Sequence, residues 1–241
     1  FFCEPVQGSG GVLVPPDGWL NAMQDACREL DILFVVDEVI TGFGRIGPLF
    51  GSERYGLRPD IMTAAKGLTS GYVPMGAVFL SDAIYETIAD KAGSSAVGHG
   101  YTYSAHPVSA AAALAALDLY EGGLLANGQA SGTHLMARLR DVLGDHPMVG
   151  DIRGVSMLAG IEIVASRTTK ALLPTGLGIG ARLGEAGLRN GVIFRAFPNG
   201  TIGLAPSLNY TLADIDELVE RISAALDAVK NQAEVRALLA D

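Results

Sequence analysis

The chain has 241 residues, 49% hydrophobic and 18% charged, with 17 basic against 26 acidic side chains for a net charge of −9. That composition excludes a disordered or collagen-like chain and describes a globular one with a large core. The acid excess and a pI near 4.9 weigh against nucleic acid or an anionic membrane as the main partner, because both need a basic footprint.

Mean hydropathy is high at +0.32, yet no unbroken apolar run approaches the roughly 18 residues of a membrane span. The excess suggests a surface made to be covered by something else. The chain opens Phe1-Phe2-Cys3-Glu4-Pro5 with no Met, reads as if it starts inside a strand, and is expected to be part of something longer. Residues 15–30 carry Trp19, Leu20, Met23, Cys27 and Leu30 at helical spacing behind Pro15-Pro16-Asp17. The run Ile32-Leu33-Phe34-Val35-Val36 then stops at Asp37-Glu38. A strand without alternation is apolar on both faces, as in a parallel sheet covered by helices. Pro59 to Thr63 and Ala77 to Leu80 read as further short buried strands, with a helix beginning at Ser81-Asp82.

Residues 93–106 form a glycine-rich polar loop, followed from Pro107 to about Tyr120 by an Ala-rich helix and a break at Gly122-Gly123. Beyond it the spacing predicts a helix over 127–144, a strand from Ser156 to Val164 and a helix over 177–189. Gly191 to Arg195 and Thr201 to Ala205 form a strand pair across the Pro198-Asn199-Gly200 turn. Thr211 to Asp214 resembles a capped helix start, with Ile215, Leu218, Val219, Ile222 and Leu226 as the apolar stripe. Cys3 and Cys27 are too few for a disulfide framework and lack metal spacing, so both are expected to be free thiols in a reducing compartment, the cytoplasm. The triplets Asn199-Gly200-Thr201 and Asn209-Tyr210-Thr211 are read as chance glycosylation matches.

Gly42-Phe43-Gly44-Arg45-Ile46-Gly47 fits a dinucleotide fingerprint, but that loop must lead straight into a helix. Pro48, Gly51, Gly56 and Pro59 make a poor one, and the reading is set aside. Lys66 is more informative. It is one of four lysines and follows the apolar run Ile61 to Ala65, where desolvation favours a neutral, nucleophilic amine; the plain alternative is a lysine that snorkels to water. Asp37-Glu38 ends the preceding strand, at the edge where open α/β sheets bind ligands; the plain alternative is a cap. Together, a lysine and an acid on consecutive strand ends are what pyridoxal phosphate needs. The lysine forms the imine, and the acid keeps the ring nitrogen protonated so that the ring is an electron sink.

Four stretches carry a family resemblance: Glu4-Pro5-Val6-Gln7-Gly8-Ser9-Gly10-Gly11-Val12, Asp37-Glu38-Val39-Ile40-Thr41-Gly42-Phe43-Gly44-Arg45, Pro59-Asp60-Ile61 through Ala65-Lys66-Gly67, and Gly100 through Pro107. In order and spacing they resemble the class III pyridoxal-phosphate-dependent aminotransferases, and Asp151 to Gly154, Gly191 to Arg195 and Ala205 to Leu208 continue the match to the tail. The resemblance implies an α/β fold, the fold-type I transferase, and roles position by position. Lys66 resembles the Schiff-base lysine that also shuttles the substrate proton, Asp37 the partner of the ring nitrogen, and Val39 the apolar residue beneath the ring. Thr102 resembles the threonine that binds the cofactor phosphate of the neighbouring subunit in a homodimer. Arg195 resembles a mobile arginine that pairs with an acceptor carboxylate. Glu4 resembles the motif acid near the substrate. Ile40 stands where α-family relatives carry Gln, which is similar to the ω-transaminase branch with its amine or ω-amino acid donors.

One departure is large. In that family an N-terminal half precedes the Glu-Pro-Val-Gln motif and supplies a phosphate-cradling turn and a ring stacked on the cofactor. Neither is in this chain. Residues 1–122 are therefore expected to be the second half of the cofactor-binding large domain, 123–241 the small α+β C-terminal domain, and the N-terminal half of the same enzyme a required partner. The expected reaction moves an amino group from the donor to a keto acid by a ping-pong mechanism, with no metal. Two alternatives stay open: another pyridoxal reaction on the same fold, such as a decarboxylase or aminomutase, and a non-catalytic partner half.

Overall fold

The computed structural model describes residues 1–91 and 99–240 and resolves them into two compact units. The first comprises Phe1–Pro5, Pro15–Gly44 and Pro48–Leu125; the second comprises Val6–Val14, Arg45–Gly47 and Ala126–Asp241.

In the first unit, β1 (Phe2–Cys3), β2 (Val35–Asp37), β3 (Ile61–Ala64) and β4 (Ala77–Leu80) form a sheet in that order. The β1–β2 and β2–β3 pairs are parallel, whereas β4 runs antiparallel to β3. Helix α1 (Trp19–Glu29) starts from Gly18 in the left-handed region, later than the Pro15-Pro16 signal suggests. It buries Leu20 and Cys27 with Phe34, Val36 and Leu57, and Cys3, Met23 and Tyr55 pack against that cluster. Both cysteines are free thiols, and burial, with Cys27 nearby, pushes the Cys3 thiol up to about 11.

The expected burial of these strands needs correction. Ile32 and Leu33 lie outside β2 and are exposed, and Val78, Phe79 and Leu80 of β4 are exposed as well. Apolar composition marks a surface that prefers cover but does not say which atoms supply it.

Helix α2 (Gly51–Tyr55) is a short turn, and α3 (Asp82–Lys91) begins where the sequence suggests. Part of the glycine-rich loop, residues 93–98, lies outside the described residues; 99–106 is irregular. Helix α4 (Pro107–Leu119) is followed across the kinked segment Tyr120–Leu124 by α5 (Leu125–Leu143). Gly123 takes φ 119° at the kink, a conformation that side-chain-bearing residues rarely adopt. The expected break at Gly122-Gly123 is found: the helical dihedrals stop at Gly123, and α4 and α5 are two helices meeting there. By length and composition Pro107–Leu143 could cross a membrane, longer than the sequence suggests, because alanines keep it apolar around scattered polar residues. Tyr120 of this stretch is buried in the first unit and hydrogen-bonded there to Gly67 and Ser70, a packing contact typical of a helix in a globular protein.

The second unit holds an antiparallel sheet of order β5–β6–β8–β7: β5 (Val149–Val155), β6 (Leu158–Ile163), β8 (Ile202–Leu204) and β7 (Arg195–Ala196). Strand β5 is absent from the sequence reading, because its glycines and charges hide the pattern. Helix α6 (Ile179–Arg189) and α7 (Leu212–Lys230) follow as expected, with the short α8 (Ala233–Arg236) last. Buried Leu135, Leu139, Ile161, Leu183, Ile202, Val219 and Ile222 make the core. Thr211 caps α7: its hydroxyl accepts from Asp214 N, and the Asp214 side chain accepts in return from Thr211 N. These bonds hold the Asp214 carboxyl below its ordinary range.

Candidate active site

Parallel pairing decides which residues meet at the sheet edge. Cys3 pairs with Val36, and Asp37 pairs with Thr63. Glu4, Asp37 and Lys66 therefore leave three adjacent strands at the same C-terminal edge, where open α/β sheets gather ligand-binding groups.

The two acids of Asp37-Glu38 have separate jobs. Glu38 is fully buried and is a cap. Its Oε1 accepts from Ser52 N and Ser52 Oγ, each at 2.6 Å. Its Oε2 accepts from Gly51 N at 2.9 Å and Thr41 Oγ1 at 2.5 Å. A carboxylate at a helix N-terminus satisfies otherwise orphaned amides, and here it folds residues 39–50 back on the strand end. The Gly42 to Gly47 loop thus closes on its own acid, with no helix directly after it.

Asp37 is only half-buried. Its Oδ1 accepts from Val39 N at 2.9 Å and from Thr63 Oγ1 at 3.1 Å. Among the described residues no donor reaches Oδ2. One oxygen is anchored and the other is left for a cationic partner. Val39 follows at once and is partly exposed beside it.

Lys66 opens a 3₁₀ turn (Lys66–Leu68) directly after β3, with φ at 37°. A lysine in this region costs on the order of 1 kcal/mol or more and persists only where its surroundings hold it. Two neighbours do so. The buried Phe43 ring lies on Gly67, where a Cβ would come 2.7 Å from Phe43 Cβ. Tyr120 Oη donates to Gly67 O at 2.7 Å and lies 2.9 Å from Ser70 Oγ, and its ring is 5.7 Å from that of Phe43. Neither Phe43 nor Tyr120 stands out in the sequence, since an aromatic behind a site reads as ordinary core. The burial expected for Lys66 is not found. Its side chain is exposed, because it lies past the strand end where this chain's own cover stops.

Thr102 is exposed in a turn closed by Ser104 N donating to Tyr101 O and Tyr101 N donating to Ser104 Oγ. Arg195 belongs to the other unit. It is exposed on β7, with its guanidinium 4.9 Å from the Phe197 ring centre. The structure thus gathers Glu4, Asp37, Val39 and Lys66 at one edge, with Thr102 and Arg195 outside that group. Among the described residues no cluster of His, Cys, Asp and Glu is arranged for a metal ion. An anchored acid with one open oxygen, one strand away from an exposed amine, fits pyridoxal phosphate.

A family model described as Aminotransferase class-III matches residues 1–226. The putrescine–pyruvate aminotransferase of Pseudomonas aeruginosa is 42% identical over 94% of this chain and 49% of its own length. The diaminobutyrate–2-oxoglutarate transaminase of Halomonas elongata is 40% identical over 95% of this chain and 50% of its own length. Among solved structures, an (S)-enantioselective omega-transaminase from Thermomicrobium roseum superposes with a TM-score of 0.91 at 46% identity, covering 95% of this chain and 51% of that one. The chain spans about half the length of the curated relatives it matches.

Proposed function

Because the chain belongs to the class III aminotransferases, a pyridoxal-phosphate-dependent family of fold-type I, we propose that the protein moves an amino group from an amine or ω-amino acid to a keto acid in two half-reactions. The observation that carries this reading is the delivery of Asp37 and Lys66 to one edge of parallel strands, with Asp37 Oδ2 left open. Residues 1–122 are read as the second half of the cofactor-binding large domain and 123–241 as the small domain.

The bound cofactor supplies an electron sink for the bond broken at the donor's amine-bearing carbon. Asp37 would hold a proton on the ring nitrogen by its charge. Val39 would supply an apolar contact to the ring. Lys66 Nζ would take the proton from the donor carbon and hand it to the cofactor's C4′ carbon, and in the second half-reaction it would carry a proton the opposite way. Thr102, exposed on its turn, suits a hydroxyl that binds the phosphate held by a neighbouring subunit of a homodimer. Arg195 pairs with the acceptor carboxylate through a two-pronged guanidinium contact, and Glu4 borders the donor. The N-terminal half of the same enzyme completes the pocket. The apolar Ile40 and the amine-acting relatives support a donor of the ω-transaminase kind, and two free thiols support a reducing, cytoplasmic compartment.

The test is Lys66→Ala in the protein expressed from its complete gene. Loss of both the bound-cofactor absorbance and the transfer of nitrogen from a diamine to pyruvate is expected. Survival of both sinks the reading, and release of carbon dioxide in place of a second amino product assigns the chain to a decarboxylase.

A further inference from the structure

We propose that Thr63 is a positioning residue that aims Asp37 at the cofactor's ring nitrogen; the proposal rests on the reading of Asp37 given above. Thr63 is the residue paired with Asp37 across the parallel β2–β3 ladder, and its Oγ1 donates to Asp37 Oδ1 at 3.1 Å. Val39 N donates to the same oxygen at 2.9 Å.

Both bonds fall on Oδ1, and the consequence is geometric. The terminal torsion of an aspartate is broad and roughly two-fold, so one donor on one oxygen leaves the carboxylate free to swing. Two donors, one from its own backbone two residues on and one from the next strand, fix the plane and leave Oδ2 as the outward atom. The strand donor is itself stiff, because a β-branched side chain has few open rotamers. Both donors also stabilise the anionic form, and it is the anion that keeps the ring nitrogen protonated. The backbone donor is present whatever residue occupies position 63; the hydroxyl is specific to a serine or threonine there.

Thr63→Val keeps the shape and removes the donor, Thr63→Ala removes it without the bulk, and Thr63→Ser keeps it. The variants are made in the protein expressed from its complete gene, with thermal midpoints as a folding control. Pyridoxal phosphate affinity is read by fluorescence, and the bound form is titrated by absorbance against pH. Expected is about tenfold weaker binding for Val and Ala, the order of one lost hydrogen bond to a charged group. The pH midpoint of the absorbance should move upward, and Ser should lie within about twofold of the native protein. If Val or Ala binds and titrates like the native protein, or if Ser falls with them, the proposal is overturned. Asp37→Asn separates the two levels: if it too binds like the native protein, the reading of Asp37 fails and takes this proposal with it.

Discussion

Replacing Glu38 by Gln changes one atom in a fully buried side chain and tests the account of the strand-end loop. Each Glu38 oxygen receives one backbone N–H and one hydroxyl: Ser52 N and Ser52 Oγ on Oε1, Gly51 N and Thr41 Oγ1 on Oε2. In Gln an NH₂ replaces one oxygen. A hydroxyl can turn and accept from it, but a backbone N–H cannot, so one amide is stranded whichever way the side-chain amide lies. A hydrogen bond to a charged group contributes about 1.5–3 kcal/mol, and a stranded buried donor costs about 1–3 kcal/mol. A local destabilisation of about 2–3 kcal/mol follows, equivalent to roughly 30- to 150-fold in the opening equilibrium. Hydrogen exchange resolves such openings by segment. Peptides spanning residues 39–56 should exchange faster by that factor in Glu38→Gln, and faster still in Glu38→Ala. Peptides from α7 should keep their native rates. Cofactor affinity should fall with the same variants, since Asp37 and Val39 flank Glu38. Unchanged exchange over 39–56, or an equal rise everywhere, would refute the reasoning.

Two further outcomes are expected. Gly67→Ala places a Cβ 2.7 Å from Phe43 Cβ and 2.9 Å from its ring, and overpacking of this kind costs about 1–3 kcal/mol. A lower thermal midpoint with reduced cofactor loading is the result to look for, while Gly122→Ala, which meets nothing within 4 Å, stays near native; equal behaviour of the two variants would remove the Phe43 contact from the account of the Lys66 turn. His146 lies in the turn after α5 with its side chain largely covered, Nδ1 accepting from Met148 N at 3.2 Å and Nε2 lying 3.6 Å from Asp227. Burial lowers its pKa, against the pull of Asp227 and with the push of Lys230 and Arg167. Below about pH 6.5 the unfolded chain takes up a proton that the folded one resists, so this contribution is full above that pH and is lost as pH falls toward the folded value. Denaturation midpoints should drop between pH 7.5 and 5.5, and less so in His146→Gln; parallel slopes would refute the assignment.

Particular residues show how far the sequence could be read. Asp37 and Lys66 were legible because each closes an apolar run, and a charge at that point must lie at a strand end. The cap of α7 was legible because Thr211 and Asp214 act on each other within one turn. Strand β5 was not, since its hydrogen bonds are made to β6 and its own residues show no alternation. Tyr120 was not legible either. It lies 53 residues from the Gly67 carbonyl it holds, and no local pattern records a contact of that range.

The sequence by itself determined the class III motifs this chain carries, its α/β character, and the order in which acid, lysine and hydroxyl follow one another, because residue type and local period are local properties. Only the tertiary structure decided how those groups are held. It made Glu38 a cap, anchored Asp37 by one oxygen to Val39 N and Thr63 Oγ1, and pinned the Lys66 turn between Phe43 and Tyr120. It also left Lys66, β4 and the Ile32-Leu33 segment exposed where apolar sequence suggested burial. Burial depends on which atoms arrive from elsewhere in space, and a run of apolar residues states a preference for cover without naming what covers it.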